Sequence, residues 1–273
     1  MTAELTAETT ADMTTEAARP RSREFEFELP VGFEDSNSQI HRTAVLRKMT
    51  GRDEAIMAEK RHRTNGARMI SELLGSCLVR LGTIENPGTR AAQQLYSADR
   101  HFLLVKLREI TFGSDMQATY SCPTCQQATV LTEDLADLEV VRLSCGEVLE
   151  DIVVRLEDGY VDRSGALFDV VVFRHPTGTD EERIAAAIRE NASHGKNALM
   201  ARCLKSMGDM PLPRLEALGS SVFNELTLSD RHLIDQAMNR GGPGINLRRA
   251  VTCGGCGRDY AAAIDMSNFL AAS

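Results

Sequence analysis

Two short cysteine pairs, Cys122-Pro-Thr-Cys125 and Cys253-Gly-Gly-Cys256, each end a segment that this sequence contains twice. The motif Arg-x-x-Thr-Gly-x-Asp-Glu begins at Arg47 and again at Arg174, and an Asp-Arg-His segment lies between that motif and each cysteine pair. Matches that keep one order and nearly one spacing indicate internal duplication, and each unit is longer than a solenoid repeat. The sequence therefore predicts two related units, each the size of a small domain.

Each cysteine pair lies between two short polar segments with strand character, as in a zinc knuckle on a β-hairpin. One Cys-x-x-Cys pair supplies half of a tetrahedral shell, whereas two pairs supply all four thiolates. Because a pseudo-two-fold axis would place equivalent positions near each other, we expect one structural zinc ion shared by both units. The predicted ligands are Cys122, Cys125, Cys253 and Cys256. A closed shell has no position for water or substrate, which argues against metal catalysis.

A redox or disulfide pair and unliganded thiols are the alternatives to zinc. A thioredoxin-like pair lies at a helix start within a βαβ unit, and Gly-Gly between two polar strands does not fit that context. Three further cysteines, Cys77, Cys145 and Cys203, stand alone in apolar contexts, a usage that suits a reducing cytoplasm. Of these, Cys77 and Cys203 occupy corresponding places in the repeat and are predicted to be buried core residues.

The fold class predicted from this organisation is α+β: two tandem copies of a strand–helix–helix–zinc-hairpin unit, packed with pseudo-two-fold symmetry. The first unit is expected at residues 24–140 and the second at residues 141–273. Residues 1–23 are rich in Thr, Ala and Glu, with almost nothing large to bury. Such a composition predicts a disordered tail, or a segment that becomes ordered against a partner.

The repeated Thr-Gly-x-Asp-Glu motif favours a helix start, with Thr50 and Thr177 as N-caps and carboxylates in the first turn. The alternative is a pair of acid/base carboxylates, but adjacent residues on a helix point in different directions. The Asp-Arg-His segments open the next helix in each unit. Their arginines, Arg100 and Arg231, suit either an ion pair between the units or a solvated surface charge. The histidines that follow could serve as ligands or bases, but no further residue recurs at a spacing that would complete such a site.

The chain has a net charge of −8 and a pI of about 5.4, opposite to the basic surface that holds phosphate backbones. It has no apolar run of about 18 residues, and its N-terminus lacks the pattern of a signal peptide. Motifs for phosphate loops, serine-hydrolase elbows and metalloprotease helices are missing as well. We therefore expect a cytoplasmic protein that is not an enzyme, with no catalytic residues, no nucleic acid, no membrane span and no small-molecule substrate.

The order of motifs in the first unit carries a family resemblance. Leu29-Pro30, Leu46 to Glu54, Asp99-Arg100, Gly113 and Cys122 to Cys125 follow one another, and a second round comes after them. This order resembles the T-even-phage-type baseplate protein family of contractile phage tails and contractile injection systems, over about residues 25–270. The second round departs from the pattern at Pro176 and at Gly254, where the family has Pro after the first cysteine.

The resemblance implies a structural or chaperone-like assembly protein of the baseplate or its hub. Its partners would be other baseplate, hub and tail proteins, and it would act in the bacterial cytoplasm, with retention in the finished particle left open. The alternative is a zinc-ribbon adaptor in transcription or RNA metabolism. The acidic charge and the lack of basic and aromatic clusters argue against that alternative.

Overall fold

The computed structural model describes residues 23–264, so the tail predicted at residues 1–23 lies, apart from Arg23, outside the described residues. The described chain mixes helices and strands, which confirms the α+β class. The strands are β1 (Glu24–Glu34), β2 (Ile40–Arg47), β3 (Leu78–Leu81), β4 (Ile84–Glu85), β5 (Asp115–Ser121), β6 (Ala128–Asp134), β7 (Val140–Val141), β8 (Ile152–Val161), β9 (Leu167–Phe173), β10 (Leu204–Met207), β11 (Gly244–Ile245), β12 (Arg248–Thr252) and β13 (Asp259–Ala263). The helices are α1 (Gly51–Ala58), α2 (Gly66–Cys77), α3 (Gly88–Gln94), α4 (Ser97–Phe112), α5 (Gly178–Glu190), α6 (Ala192–Cys203), α7 (Leu212–Leu218), α8 (Val222–Glu225) and α9 (Leu228–Asn239), with short 3₁₀ turns at Lys60–Thr64, Leu135–Asp137 and Gly219–Ser221.

Two antiparallel sheets organise the fold. The first has the strand order β1-β2-β3-β4 and the second has the order β10-β9-β8. Three two-stranded pairs complete the topology: β5 with β6, β12 with β13, and β7 with β11. The last pair joins the segment after the first cysteine hairpin to the segment before the second, because Val140 and Val141 lie opposite Ile245 and Gly244.

The buried apolar side chains form two clusters. One contains residues of β1, β2, α2 and α4, such as Leu29 and Phe102, and the other contains residues of β9, α6 and α9, such as Phe173 and Ile234. Val251 and Ile264, from the second cysteine hairpin, belong to the first cluster. The C-terminal hairpin is therefore packed on the N-terminal core, whose other residues are mostly distant from it in sequence. The boundary between the units at residue 140 stays a prediction.

Both Thr-Gly-x-Asp-Glu motifs begin a helix, as the sequence predicts. Thr50 caps α1 and Thr177 caps α5, each in a capping box with the Asp three residues later. In each box the Asp accepts a hydrogen bond from the Thr backbone N–H, at 2.8 Å for Asp53 and 3.0 Å for Asp180. Both carboxylates are buried and serve the helix start, which favours the capping interpretation over acid/base catalysis.

An arginine at the end of the preceding strand holds each capping carboxylate. Arg47 donates two hydrogen bonds to Asp53, at 2.7 and 2.9 Å, and Arg174 donates two to Asp180, at 2.6 and 2.9 Å. Such two-pronged contacts between guanidinium and carboxylate are among the strongest side-chain hydrogen bonds. We call these contacts the Arg–Asp clamps. They connect the end of the strand to the start of the helix in the same way at both motifs.

The clamp on Asp180 predicts acid sensitivity. Burial alone would raise the pKa of this carboxyl, but hydrogen bonds from Arg174 and Thr177 outweigh burial and lower the pKa to about 2. A lowered pKa stabilises the folded state above the unfolded value of 3.8 and loses that effect as the pH falls through 2. At about 1.4 kcal/mol per pKa unit, the contribution is on the order of 2 kcal/mol.

We therefore expect the free energy of unfolding to fall between pH 4 and pH 2, and to fall less steeply in Asp180→Asn. Urea unfolding at a series of pH values measures both slopes. Asp169→Asn is the control, because Asp169 forms a more exposed ion pair with Arg155. An unchanged slope in Asp180→Asn would contradict the assigned role of the clamp.

The Asp residues of the two Asp-Arg-His segments hold bulges in the edge strands. The carboxylate of Asp99 accepts hydrogen bonds from the N–H groups of Val31 and Gly32, at 2.8 and 2.9 Å, at the point where the register of β1 shifts. Asp230 does the same at the bulge of β8, including an N–H from Gly159 at 2.9 Å. Both glycines have positive φ, 109° and 72°, a conformation that favours Gly. These carboxylates therefore fix β1 to α4 and β8 to α9.

The two halves of the chain are in contact through α5, a helix of the second half that packs on α2, α3 and α4 of the first half. Arg100 of α4 is 1% exposed and donates from Nε to Glu181 of α5 at 3.1 Å. Of the two alternatives for these arginines, the ion pair is present at Arg100, and it joins the two halves of the chain. Arg231 instead contacts Ser193 and Asn197 within its own half. Among residues 23–264, no helix has the length and apolar character needed to cross a membrane.

Candidate metal centre

The first cysteine pair lies in the tight loop between β5 and β6. The N–H of Cys122 donates to the carbonyl of Gln127 at 3.0 Å, and the N–H of Gln126 donates back to the carbonyl of Cys122 at 3.0 Å. The N–H of Thr124 points at the sulfur of Cys122, at 3.4 Å. Gln126 has a φ of 61°, which turns the chain back into β6. The loop thus directs both sulfur atoms to one side.

The second pair, between β12 and β13, has the same hydrogen bonds. The N–H of Cys253 donates to the carbonyl of Arg258 at 2.9 Å, and the N–H of Gly257 donates to the carbonyl of Cys253 at 3.0 Å. The N–H of Gly255 points at the sulfur of Cys253, at 3.4 Å. The absence of Pro at Gly254 therefore leaves the hairpin geometry unchanged. The backbone of Gly255 lies against the side-chain amide of Gln127 in the other hairpin, so a Cβ at position 255 would require that amide to move.

The structure brings the four predicted cysteines together. The sulfurs of Cys122 and Cys256 are 3.7 Å apart, and those of Cys125 and Cys253 are 3.5 Å apart. All four sulfurs lie within 4.8 Å of one another. The first cysteine of each hairpin thus faces the second cysteine of the other.

The sulfur positions fit a tetrahedral metal ion. Four thiolates at about 2.3 Å from zinc are about 3.8 Å from one another, close to the spacings across the hairpins, whereas a disulfide needs about 2.05 Å. All four thiols are free. Four sulfur ligands leave no coordination position for water, so such a site would stabilise the fold and would not catalyse a reaction. The role of these cysteines as zinc ligands stays a prediction.

Backbone amides prepare two of the thiols for ionisation. Hydrogen bonds from the amides of Cys125 and Thr124 lower the pKa of Cys122 to about 6. The amides of Cys256 and Gly255 likewise lower the pKa of Cys253. The amide of Gln127 acts to lower the pKa of Cys125, but the neighbouring thiols prevail and raise it to about 11. A divalent cation would displace the remaining thiol protons and stabilise all four sulfurs as thiolates.

Polar contacts next to the cysteines also join the two hairpins. Glu133 of β6 accepts from Arg249 of β12 at 2.9 Å and from the hydroxyl of Tyr120 at 2.7 Å. Arg258 donates to the hydroxyl of Thr124 at 3.1 Å. Sequence reasoning missed Glu133 and Arg249. No sequence pattern singles them out, because only the register of the folded hairpin shows that Glu133 lies opposite Met116 on the apolar face, where a carboxylate requires a partner.

The other candidate residues lie apart from this cluster. Cys77 and Cys203 are buried, as predicted, and burial raises the pKa of each thiol to about 12. Cys145 is exposed, unlike the apolar context that its sequence neighbours indicate. His101 lies 3.9 Å from Glu181, and His232 contacts Gln236. Neither histidine joins the cysteines in a common site.

The fold and the cluster define a class: a mixed α and β protein in which two hairpins meet at four thiols with the geometry of a structural metal site. The chain matches the family model described as T4 bacteriophage base plate protein over residues 22–271, and it belongs to that family. This confirms the resemblance read from the motifs. Comparison with curated proteins and with solved structures returned no match. Family membership supports a structural or assembly role in a phage baseplate, in contact with other baseplate proteins.

Proposed function

We propose that this protein is a non-enzymatic structural or chaperone-like assembly protein of the baseplate or hub of a contractile phage tail or contractile injection system. One zinc ion, held by Cys122, Cys125, Cys253 and Cys256, stabilises it. The observation that carries the zinc assignment is the convergence of all four sulfurs from two hairpins that are distant in sequence. Family membership carries the baseplate role.

The proposal includes an internal duplication, with the two cysteine hairpins related by a local two-fold axis. Support comes from contacts that recur at corresponding places. The Arg–Asp clamps, the carboxylates on the strand bulges and the hydrogen bonds of the cysteine loops each occur twice. The zinc ion joins the ends of the two units, so one metal would hold the C-terminal hairpin on the N-terminal core.

A rigid, metal-stabilised shape suits a protein that other proteins assemble around. Stabilisation by a ligand that binds only the folded state keeps the surface in one arrangement. The four-thiol site has no open position for a substrate, which supports a role that does not depend on catalysis. Partners would therefore recognise surfaces of the fold and not a product of a reaction.

An assembly assay tests this function. Cells that lack the gene should produce sheath and tube proteins but no complete baseplates, and the wild-type gene supplied in trans should restore particles. We expect Cys253→Ser to fail in this complementation and Cys145→Ser to succeed, because Cys253 belongs to the four-cysteine cluster and Cys145 does not. Electron microscopy counts the particles, and elemental analysis of the purified chain should find one zinc ion. Normal particles without the gene would refute the baseplate role, and a zinc-free wild-type protein would refute the metal.

A further inference from the structure

The contact between α5 and the first unit is a defined interface with two sides. We call residues 176–181 the motif surface of the second unit, and residues 95–100 the receptor surface of the first unit. Three hydrogen bonds join them: Ser97 N–H to the Pro176 carbonyl at 2.9 Å, Gly178 N–H to the Leu95 carbonyl at 3.1 Å, and Arg100 Nε–H to Glu181 at 3.1 Å. The interface is heterologous, because each side contributes a different surface.

Packing on this interface explains the glycine of the motif. A Cβ on Gly178 would lie 2.5 Å from Nη1 of Arg100. The guanidinium of Arg100 therefore rests directly against the backbone of α5. Any larger residue at position 178 would displace the arginine from its partners, Glu181 and the carbonyl of Ala92.

The first unit has its own motif surface, residues 49–54, and among residues 23–264 nothing packs on its Gly51 or Glu54. Gly51 corresponds to Gly178, yet it is exposed and a Cβ there would meet none of the described residues within 4 Å. Its φ is not in the left-handed region, so the backbone does not require glycine either. Glu54 corresponds to Glu181, and within residues 23–264 its carboxylate has neither a hydrogen-bond nor an ion-pair partner. At these two positions a close-packing surface is thus present, and no part of the described chain packs on it.

The second unit has its own receptor surface, residues 226–231, and it lacks an occupant in the same way. Arg231 is oriented by Ser193 at 2.9 Å and Asn197 at 2.7 Å. Its Nε is buried and has no hydrogen-bond partner within the described chain, although the same atom of Arg100 binds Glu181. Beside it, Leu228 is 78% exposed, the highest value among the exposed large apolar side chains described. A buried unpaired donor next to an exposed leucine indicates a missing partner.

We infer that a second copy of this chain fills these vacant surfaces, with Gly51 and Glu54 of one copy on Arg231 of the next. The contact within the chain is the template for the contact between copies. Glu54 would supply the acceptor that Arg231 Nε lacks, and Gly51 would admit the guanidinium. Met49 stands in the place of Pro176 and Leu228 in the place of Ser97, so the backbone hydrogen bond of the template could recur from the Leu228 N–H to the Met49 carbonyl, with the exposed Leu228 side chain adding apolar area. This inference rests on the proposed duplication.

Such association would be head to tail. After two copies join, one motif surface and one receptor surface remain free at the ends, so further copies add in the same way. A heterologous contact of this kind produces a ring when the rotation closes and a helical filament when it does not. Either product would give the protein more than one copy in an assembled particle.

Sedimentation velocity of the full-length, zinc-loaded chain over a range of concentrations tests the inference. The mass should rise beyond that of a dimer as the concentration increases. Gly51→Leu blocks the motif surface and Leu228→Glu blocks the receptor surface, and each should weaken association at least about tenfold. Both positions are exposed, so the variants should fold. The matched controls are Gly241→Leu and Leu167→Glu, exposed positions outside the two surfaces, and they should behave as wild type.

A mixing experiment identifies the geometry. The Gly51→Leu chain retains its receptor surface and the Leu228→Glu chain retains its motif surface, so an equal mixture should form a one-to-one dimer and nothing larger. A wild-type chain that stays monomeric, or variants that associate as wild type does, would overturn the inference. Zinc content measured in the same samples separates this result from the metal proposal, since a zinc-free protein that still associates would overturn only the latter.

Discussion

Cys253→Ser should lose its zinc and unfold with a free energy about 4 kcal/mol lower than wild type, the stabilisation given by a ligand at a thousand times its Kd. The effect would be large because the proposed metal would join two hairpins, and the second supplies Val251 and Ile264 to the first core. Urea denaturation with parallel zinc analysis measures both changes. Cys145→Ser is the control, since Cys145 is exposed and outside the cluster. A variant that retains wild-type stability would show that the cluster does not hold the hairpins together.

Thiol alkylation of the wild-type protein gives an independent reading of the same site. Before chelation, only Cys145 should react quickly, because it is exposed and unliganded. Buried Cys77 and Cys203 should react only after unfolding, because burial raises the pKa of both thiols. Chelation should expose four more reactive thiols: Cys122, Cys125, Cys253 and Cys256. Rapid modification of these four before chelation would contradict a closed metal shell, and one fast-reacting member of a pair would point to redox chemistry.

The sequence predicts those features that depend on near neighbours in the chain. The capping boxes at Thr50 and Thr177 follow from residues three positions apart, and the structure contains both. The cysteine cluster is predictable for a related reason. A Cys-x-x-Cys loop fixes two sulfurs locally, and a second copy of the loop needs only one contact between hairpins to complete four. Local chemistry therefore determined most of the candidate site.

Features that depend on register or on distant packing were not predictable. The contact of Glu133 with Arg249 requires the pairing of β5 with β6 and the stacking of two hairpins. The placement of Val251 in the N-terminal core requires the path of the chain after α9. Hydrophobic patterning shows that a residue is buried but not against which core, because the hydrophobic effect has no direction.

The clearest limit of sequence reasoning is the pair of identical Asp-Arg-His segments. Asp99 and Asp230 act alike, since each carboxylate holds a strand bulge of its own half. Arg100 and Arg231 share that context in sequence, but among the contacts of residues 23–264 only Arg100 meets a carboxylate from the other half. Duplicated motifs thus predict equal local structure and do not predict equal partners. The one-sided contact of α5 creates this difference, and it can be measured.

Arg100→Met should lower the free energy of unfolding by about 3 kcal/mol, the lower end for a buried charge pair that loses one partner. Methionine keeps the apolar stem but leaves Glu181 and the carbonyls of Ala67 and Ala92 without their donor. Arg231→Met is the matched control and should cost only about 1 kcal/mol, because it removes hydrogen bonds to Ser193 and Asn197 but no ion pair. Urea unfolding at a concentration where all chains are monomeric compares the two variants.

A second matched pair tests the same interface without removing a charge. Gly178→Ala places a Cβ against the guanidinium of Arg100 and should destabilise the protein by about 1–3 kcal/mol through overpacking. Gly51→Ala makes the same change where no described residue lies within 4 Å of the new Cβ, so the monomer should be unaffected or slightly stabilised, since Ala favours a helix over Gly by up to about 1 kcal/mol. Equal effects at the two glycines, or an Arg100→Met variant no less stable than Arg231→Met, would mean that the contact of α5 with α4 does not hold the two halves together. A difference in the expected direction would establish that the two copies of the motif have different roles: the copy at Gly178 packs against α4 inside the chain, and the copy at Gly51 lies on the surface.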